Sequence, residues 1–333
     1  MTRIAVVGAG AWGTAMAIAC QAAGHRVVLL TRDPALAAEM RRRRENPRAL
    51  PGVRLAEGIE PVSDAARLGR AALVLTAVPA SAVDIAGAVL AGVVPGGTPV
   101  ISTAKGLDPA DGTRPSERLC AALGPARPVL VLSGPNFAGE LARGRPTRSV
   151  VAGASAAVAG EVAAILSGPA WDVEAGDDPV GVELGGALKN VAALASGMAE
   201  GLGMGDNARA AVETRALSDL SRVVVALGGR QDTVLGLSGV GDLIATVRGG
   251  ASRNRQAGVA IALAGGALGR PDDAKSTVEG IASALGASRL GRRLGLDLPV
   301  VEAVADVVDG RATPRDAIAR LLGRRPGSGD ARA

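Results

Sequence analysis

The chain of 333 residues almost lacks the side chains that carry much of enzyme chemistry. It has no tyrosine, one histidine, two cysteines and only three aromatic residues. Cys20, Cys120 and His25 are too few and too far apart for a zinc site, which needs about four close ligands. A Ser-His-Asp hydrolase would depend on His25, which lies in a turn before a strand. We therefore expect no metal, ordinary thiols in a reducing compartment, and a cytoplasmic location.

Lysine is equally scarce, since only three of the 37 basic residues are lysines and the other 34 are arginines. The net charge of +5 is spread thinly, with one dense run at 41–44 and no interleaved aromatic residues. We therefore expect no nucleic-acid partner. Arginine cannot give up its proton in proteins, whereas lysine can, so the few lysines stand out as candidates for proton transfer.

Long uncharged segments occur at 4–24 and 85–104, and the first is long enough to cross a bilayer. Four glycines interrupt the first segment, and Pro95, Gly96, Gly97 and Pro99 break the second. We predict that neither segment spans a membrane.

The amino terminus has the pattern of a dinucleotide-binding βαβ unit. A β-branched run at 4–7 is followed by GAGAWG at 8–13, a helical stretch at 14–23 and a second strand at 27–31. A lone GxGxxG is weak evidence, but this one follows a strand and opens a helix. Gly8, Gly10 and Gly13 permit a tight turn and a close approach of backbone to pyrophosphate, which the free N–H groups of the helix attract.

The end of the second strand bears on the choice of cofactor. An acidic residue there holds the ribose 2′-hydroxyl of NAD, whereas a nearby arginine accommodates the 2′-phosphate of NADP. By distance from the glycines Asp33 is the acidic residue, but by strand alignment Thr31 takes that place and Arg32 follows. We favour NADPH, or the use of both NADPH and NADH, and note that Asp33-Pro34 could simply cap the next helix.

Apolar strands continue to alternate with helices to about residue 178, which predicts an α/β Rossmann-type, parallel, doubly wound sheet. From residue 182 strands disappear, and helical periodicity predicts an all-α second domain. We place the domains at 1–180 and 181–324, with a disordered tail at 325–333. The predicted helices lie at 182–200, 207–227, 252–263, 280–294, 300–309 and 314–322.

Two lysines occupy positions suited to proton exchange beside a nicotinamide. Lys105 follows a strand, and the carboxyl ends of such strands border the ligand crevice. Lys189 lies inside an otherwise apolar helix, where burial and a neighbouring cation would lower its pKa toward neutrality. The alternative for each is a surface lysine whose stem covers apolar surface, and this alternative is favoured for Lys275.

Two further clusters lie in the helical half. Asp242 and Thr246 are four residues apart and share one helix face. Ser252, Arg253 and Asn254 follow a glycine-rich loop at a helix start, an arrangement that suits an oxyanion such as phosphate. The alternative is an ordinary helix capped by Ser252.

Taken together, these motifs make the chain similar to bacterial NAD(P)-dependent glycerol-3-phosphate dehydrogenases over residues 3–324. The resemblance is carried by a series of segments: GAGAWGTA at 8–15, AKGL at 104–107, SGPNFAGELARGRPT at 133–147, GVELGGALKNVAALASGM at 181–198, GDNARAAVETR at 205–215, GLSGVGDLIATV at 236–247, SRN at 252–254 and VEG at 278–280. Related β-hydroxyacid dehydrogenases share the loop and a helical lysine but not the whole series.

The resemblance implies reversible reduction of dihydroxyacetone phosphate to sn-glycerol 3-phosphate for glycerophospholipid synthesis, and a fold like that of 6-phosphogluconate dehydrogenase. It implies Lys189 as the proton donor and acceptor, with Lys105 and Asp242 assisting. The implied substrate contacts are Lys105, Gly134, Asn136, Lys189, Asn190, Asp242, Thr246, Ser252, Arg253 and Asn254. The implied cofactor contacts are Gly8, Gly10, Ala11, Trp12, Gly13, Arg32, Lys105, Ala138, Arg253 and Glu279. The expected partner is a small phosphorylated molecule, and a homodimer stays open.

The chain departs from the family's usual pattern at three positions. Ala11 replaces a usual serine, Asn136 replaces serine or threonine, and Ala49 replaces an aromatic residue. These changes bear on cofactor affinity more than on the reaction. Two other functions compete: a dehydrogenase of the same architecture acting on a hydroxy acid, and a non-catalytic regulator that senses NAD(P)H.

Overall fold

A computed structural model describes residues 1–250, 252–266 and 278–323. It divides into two compact units. The first contains Met1–Ala104 and Arg114–Glu183, and the second contains Lys105–Thr113 and the described residues from Leu184 onward. The chain changes unit three times, a pattern that a single boundary at residue 180 does not describe. Lys275 and the predicted tail at 325–333 lie outside the described residues.

The first unit is an α/β fold built from strands and intervening helices. Its strands are Arg3–Val7 (β1), Arg26–Leu30 (β2), Glu45–Asn46 (β3), Leu50–Arg54 (β4), Ile59–Val62 (β5), Leu73–Thr76 (β6), Val100–Ser102 (β7), Val129–Ser133 (β8), Thr147–Gly153 (β9) and Trp171–Gly176 (β10). Its helices are Ala11–Ala22 (α1), Pro34–Arg43 (α2), Val83–Val93 (α3), Pro115–Leu123 (α4), Ala138–Leu141 (α5) and Ala156–Leu166 (α6), with 3₁₀ turns at Ala65–Leu68 and Ala80–Ala82.

Eight strands form one sheet in the order β10-β9-β8-β7-β6-β1-β2-β5, and β3 and β4 form a separate antiparallel pair. The strands from β5 to β8 in this order are parallel, which confirms the predicted Rossmann-type sheet. The prediction of a wholly parallel sheet is wrong at one edge, because β9 pairs antiparallel to β8. The connection between these strands contains only the one-turn helix α5, whereas a parallel crossover usually contains a longer helix that packs on the sheet.

Both faces of the sheet are covered, which explains the continuous apolar strands. Ile4 and Val6 of β1 belong to one buried core cluster, and Ala5 and Val7 belong to the other. At the centre of the sheet the carboxyl end of β1 lies between Leu30 of β2 and Thr76 of β6. The order of strands reverses there, and ligands bind at such points in open α/β sheets.

In its described part the second unit contains helices and no strand, as the sequence predicts. The helices are Pro179–Gly201 (α7, which begins in the first unit), Asp206–Ala226 (α8), Gln231–Leu235 (α9), Asp242–Arg248 (α10), Arg253–Leu263 (α11), Glu279–Leu294 (α12), Pro299–Val308 (α13) and Pro314–Leu321 (α14). A π-helical turn at Leu237–Gly241 precedes α10. None of the helices in the described ranges has the length and apolarity of a membrane span.

The crossing of α7 and α11 depends on two glycines. A Cβ atom on Gly197 would lie 2.1 Å from the Arg255 carbonyl oxygen, and one on Gly258 would lie 2.2 Å from the Leu194 carbonyl oxygen. Each helix therefore presents a glycine to the backbone of the other. The close approach brings the start of α11 beside the middle of α7.

Gly197→Ala is expected to destabilise the protein, because the backbone has no room for the added methyl group. Overpacking of this kind costs about 1–3 kcal/mol, which lowers the melting temperature by several degrees. Gly160→Ala is the matched control, since a Cβ atom on this glycine of α6 would have nothing within 4 Å. That variant should be neutral or slightly stabilising. Equal melting temperatures for Gly197→Ala and the wild type would contradict the prediction.

Candidate active site

The glycine loop after β1 is shaped by steric limits at two of its three glycines. Gly8 has a φ of +109°, and a Cβ there would lie 2.5 Å from the Ala77 carbonyl oxygen. A Cβ on Gly13 would lie 1.9 Å from the Gly8 carbonyl oxygen. Nothing lies within 4 Å of the Cβ position of Gly10. The loop is therefore closed on the side of the sheet and open at its middle glycine.

Helix α1 begins directly after this loop, and its amino terminus is left uncapped by side chains. Its N-cap residue is Gly10, and no acidic residue lies in its first turn. The exposed N–H groups and the positive end of the helix dipole suit a pyrophosphate. Ala11, Trp12 and Gly13 form this first turn. The residues present therefore fit the diphosphate of a dinucleotide.

Asn46, which the sequence analysis missed, holds the loop in place. Its fully buried side chain donates to the Ala9 carbonyl oxygen at 2.9 Å and to the Thr14 hydroxyl at 2.8 Å. Asn46 lies on the two-residue strand β3. So short a strand has no periodicity from which its role could be predicted.

At the end of β2 the Asp33 carboxylate is occupied by the protein itself. It accepts hydrogen bonds from the N–H groups of Ala35 at 2.9 Å and Leu36 at 3.1 Å, and pairs with Arg48 at 2.6 Å. The bond from the Leu36 N–H, followed by that from Arg48, holds the Asp33 pKa below its usual value. Asp33 is thus the N-cap of α2, one of the two roles considered from sequence. The neighbouring Arg32 is exposed.

Three more candidate residues follow β8 in the first unit. Gly134 has a φ of +134°, and a Cβ there would lie 3.1 Å from the Arg148 carbonyl oxygen. Asn136 accepts a hydrogen bond from the Ser149 hydroxyl at 2.7 Å. Ala138 begins α5. Since β8 is parallel to β1, these residues follow the carboxyl end of the sheet, as the glycine loop does.

In the second unit two lysines share one carboxylate. The Lys189 amine of α7 donates to Asp242 Oδ1 at 2.8 Å and to the Thr246 hydroxyl at 2.7 Å. The Lys105 amine donates to Asp242 Oδ2 at 2.7 Å. Asp242 and Thr246 project from the same face of α10, as their spacing predicts. Lys189 is 8% exposed and Asp242 is 2% exposed, so this is a largely desolvated cluster.

The environment lowers the pKa of Lys189 to about 8. Burial is the largest cause, because it penalises the charged form, and the positive charge of Lys105 acts in the same direction. Asp242 opposes both by stabilising the ammonium form. An amine with this pKa can lose and regain a proton near neutral pH, which makes Lys189 a usable acid and base.

A chain of amide hydrogen bonds connects the lysines to the start of α11. Asn190 donates to the Lys105 carbonyl oxygen at 2.8 Å and accepts from Asn254 at 2.9 Å. Asn254 also accepts from the Gly280 N–H at 3.0 Å. Glu279, beside Gly280, lies close enough to Lys189 to raise its pKa. Four separate segments are thereby fixed around one cluster.

Close backbone contacts place α10 against α7. A Cβ on Gly185 would lie 2.8 Å from the Ser238 carbonyl carbon and oxygen, so α7 lies directly on the π-helical turn before Asp242. Gly239 within that turn has no room for a side chain against the Val234 carbonyl oxygen. π-Helical turns occur often at functional sites. Asp242, whose carboxylate accepts from both amines, directly follows this turn.

The anion-binding cluster proposed from sequence lies at the start of α11. Ser252 is its N-cap and accepts from the Arg255 N–H at 3.3 Å, and Arg253 is exposed. The structure thus brings together in the second unit Lys105, Lys189, Asn190, Asp242, Thr246, Asn254 and Glu279. Ser252 and Arg253 directly precede Asn254 at the start of α11. The other candidates, from Gly8 to Ala138, belong to the first unit. No three potential metal ligands come together within the described residues.

Comparison with known proteins gives one consistent family. The family model described as the NAD-dependent glycerol-3-phosphate dehydrogenase N-terminus matches residues 3–159, and that of the C-terminus matches 178–319. A protein named glycerol-3-phosphate dehydrogenase [NAD(P)+] from Agrobacterium fabrum is 42% identical over 97% of each chain. Its namesake from Sinorhizobium fredii is 43% identical over 97% of this chain and 96% of its own.

A solved structure agrees with these sequences. The crystal structure of glycerol-3-phosphate dehydrogenase from Coxiella burnetii has a TM-score of 0.89 and 31% identity, and the match covers 97% of this chain and 99% of that one. Sequence and fold therefore agree over nearly the full length. On these grounds the chain belongs to the NAD-dependent glycerol-3-phosphate dehydrogenase family.

Proposed function

We propose that the protein reduces dihydroxyacetone phosphate reversibly to sn-glycerol 3-phosphate with NAD(P)H, and that Lys189 exchanges the proton. The observation that carries the proposal is the buried amine of Lys189, whose pKa of about 8 suits an acid and base at neutral pH. Burying a charged amine costs free energy even when a carboxylate and a hydroxyl bind it, and buried groups of this kind are frequent at functional sites. The product is a precursor for glycerophospholipid synthesis.

A nicotinamide cofactor held by the glycine loop and the start of α1 would supply the hydride for reduction of the carbonyl carbon. Lys189 in its ammonium form gives a proton to the oxygen on which negative charge develops. Lys105 stabilises that charge from its position on the same carboxylate. Asp242 orients both amines, and Thr246 holds Lys189 from the other side. For oxidation the neutral amine of Lys189 takes the proton back.

The phosphate of the substrate is assigned to the start of α11. Arg253 supplies a guanidinium that can bind two phosphate oxygens, and the first N–H groups of the helix add weaker donors. Asn190 and Asn254 keep this helix start fixed to the segment that carries Lys105. Gly134 and Asn136 are further proposed substrate contacts. Ala138 and Glu279 are proposed cofactor contacts.

NADPH is the proposed preference, and Arg32 is its determinant. The acidic side chain near the end of β2, Asp33, already caps α2 and pairs with Arg48. It is therefore less able to accept the ribose 2′-hydroxyl of NADH. Arg32 follows the end of β2 and is exposed, and its positive charge favours a 2′-phosphate.

Arg32→Ala should weaken NADPH binding about ten- to a hundredfold and change NADH binding less than about twofold, since a charge-assisted hydrogen bond is worth about 1.5–3 kcal/mol. Arg26→Ala is the matched control, because Arg26 is an exposed arginine at the opposite end of the same strand. Dissociation constants for both nucleotides test the prediction. Equal increases in the dissociation constants of NADPH and NADH would show that Arg32 does not bind the 2′-phosphate.

The proposed function is tested by following nicotinamide absorbance with dihydroxyacetone phosphate, in parallel reactions with NADH and NADPH. Turnover of dihydroxyacetone phosphate is the expected result. Activity on a hydroxy acid or its keto form, with none on dihydroxyacetone phosphate, would favour the other dehydrogenase class. Binding of NADPH without oxidation across a panel of phosphorylated ketones would identify a sensor instead.

A further inference from the structure

The three aromatic side chains of the protein all belong to the first unit. Trp12 lies in the glycine loop and Trp171 begins β10, yet their rings meet edge to face with centroids 5.9 Å apart. Phe137 is the N-cap residue of α5 and follows Asn136 directly. Trp171 is only 1% exposed. The contact between the two tryptophans of the chain therefore joins the glycine loop to β10, the strand at one edge of the sheet.

From Trp171 a line of hydrogen bonds runs to Asn136. The Trp171 indole N–H donates to the Ser149 hydroxyl oxygen at 2.7 Å, and that hydroxyl lies 2.7 Å from Asn136 Oδ1. An indole nitrogen can only donate, so the Ser149 oxygen must accept there. Its one hydrogen is then left for Asn136. Ser149 donates this hydrogen to Oδ1 of Asn136, so the amide presents its oxygen to Ser149 and leaves Nδ2 for another partner.

The nitrogen end of the same amide lacks a hydrogen-bond partner among the described residues. Asn136 Nδ2 is buried and has no hydrogen-bond partner in the described structure. Leaving a buried donor unsatisfied weakens a structure, and native proteins seldom do so without a functional reason. The Trp12 indole nitrogen, in the predicted cofactor loop, is likewise buried and unpartnered among the described residues. Both donors are linked through the Trp171 ring and its hydrogen-bonded neighbours.

We propose that Trp171 and Ser149 are positioning residues that hold Asn136 as a hydrogen-bond donor to an oxygen of the bound ligand. The inference rests on the proposed function and deepens it. A ligand at this point must offer an acceptor, because the acceptor end of Asn136 is already used by Ser149. The oxygen belongs either to the carboxamide of the nicotinamide or to the phosphorylated substrate.

Tryptophan emission provides a direct readout that does not require turnover. The protein has no tyrosine and two tryptophans, both within this cluster. NADPH titrations monitored by this emission give a dissociation constant for each variant. The KM for dihydroxyacetone phosphate at saturating NADPH gives the second constant. The two measurements separate a cofactor oxygen from a substrate oxygen.

Asn136→Leu, which removes the donor at similar volume, should raise one of these two constants about tenfold. Ser149→Ala should raise the same constant by a smaller factor, because it frees the amide to rotate. Ser167→Ala is the matched control, since its hydroxyl makes hydrogen bonds with the backbone of Val173 in the same unit and none with Asn136. Asn136→Ala, which removes the donor without adding a charge, serves if the leucine variant does not fold.

A raised NADPH dissociation constant assigns the oxygen to the cofactor, and a raised KM alone assigns it to the substrate. The proposal is overturned if the Asn136 variants leave both constants within twofold of wild type, or if Ser149→Ala behaves like Ser167→Ala. Failure of the proposed function looks different, because the wild type itself would then not turn over dihydroxyacetone phosphate. In that case the NADPH dissociation constants alone test the proposal, and unchanged constants in the Asn136 variants overturn it.

Discussion

Lys189→Met is expected to lower kcat for dihydroxyacetone phosphate reduction by about 10²–10⁴-fold while leaving NADPH binding unchanged. General acid catalysis by a placed side chain contributes rate enhancements of this size. Methionine retains much of the apolar stem and removes only the amine, which suits a position that is 8% exposed. Asp242 still pairs with Lys105 in this variant, so the cluster retains a counter-charge for its carboxylate. Steady-state rates at pH 7 measure the effect.

Lys189→Arg separates proton exchange from positive charge. Arginine keeps the charge beside Asp242 but does not release its proton near neutral pH. If Lys189 acts as acid and base, the arginine variant should lose nearly as much activity as the methionine variant. If the lysine serves only to attract the substrate, arginine should restore most of the rate. A loss below about tenfold in Lys189→Met would reject the acid–base role.

The elements that could be predicted from sequence are those specified by local patterns. The segment from β1 to β2 has a strand, three glycines at fixed spacing and a helix within 30 residues, and the structure confirms it. Asp242 and Thr246 could be assigned to one helix face because four residues make about one helical turn. The low pKa of Lys189 follows the direction expected from its apolar surroundings.

What could not be predicted depends on contacts between distant segments. Nothing in the sequence near Asn46 shows that its side chain will reach the carbonyl oxygen of Ala9, 37 positions earlier. The reversal of β9 follows a connection whose sequence looks like the other links between strands. The pairing of Lys105 and Lys189 through Asp242 likewise joins positions 137 and 53 residues apart. Such contacts depend on the tertiary structure as a whole.

The shared carboxylate also makes the pH dependence of the reaction a test of the site. Reduction needs the ammonium form of Lys189, so its kcat/KM should fall as pH rises through about 8, the pKa of this amine. Oxidation needs the neutral amine and should rise through the same pH. Opposite slopes in the two directions, with one common midpoint, would assign both to a single group.

Asp242→Asn should move this midpoint to lower pH and should also destabilise the protein. The substitution removes the negative charge that favours the ammonium form, while burial and the charge of Lys105 continue to lower the pKa of Lys189. Losing one partner of a buried ion pair costs about 3–5 kcal/mol, and Lys189 avoids part of this cost by releasing its proton. The variant should therefore lose more reductase activity at pH 8 than at pH 6.

Lys105→Met is the complementary variant, and its shift has the opposite sign. Removing this cation deletes an influence that lowers the pKa of Lys189, so the midpoint should move to higher pH. The activity lost from weaker stabilisation of developing charge should be similar across the pH range. A general disturbance of the fold would not move the two midpoints in opposite directions. The pH profiles of the two variants therefore distinguish electrostatic coupling among Lys105, Asp242 and Lys189 from structural damage. Midpoints that both stay at the wild-type value would show that Lys189 is not the titrating group.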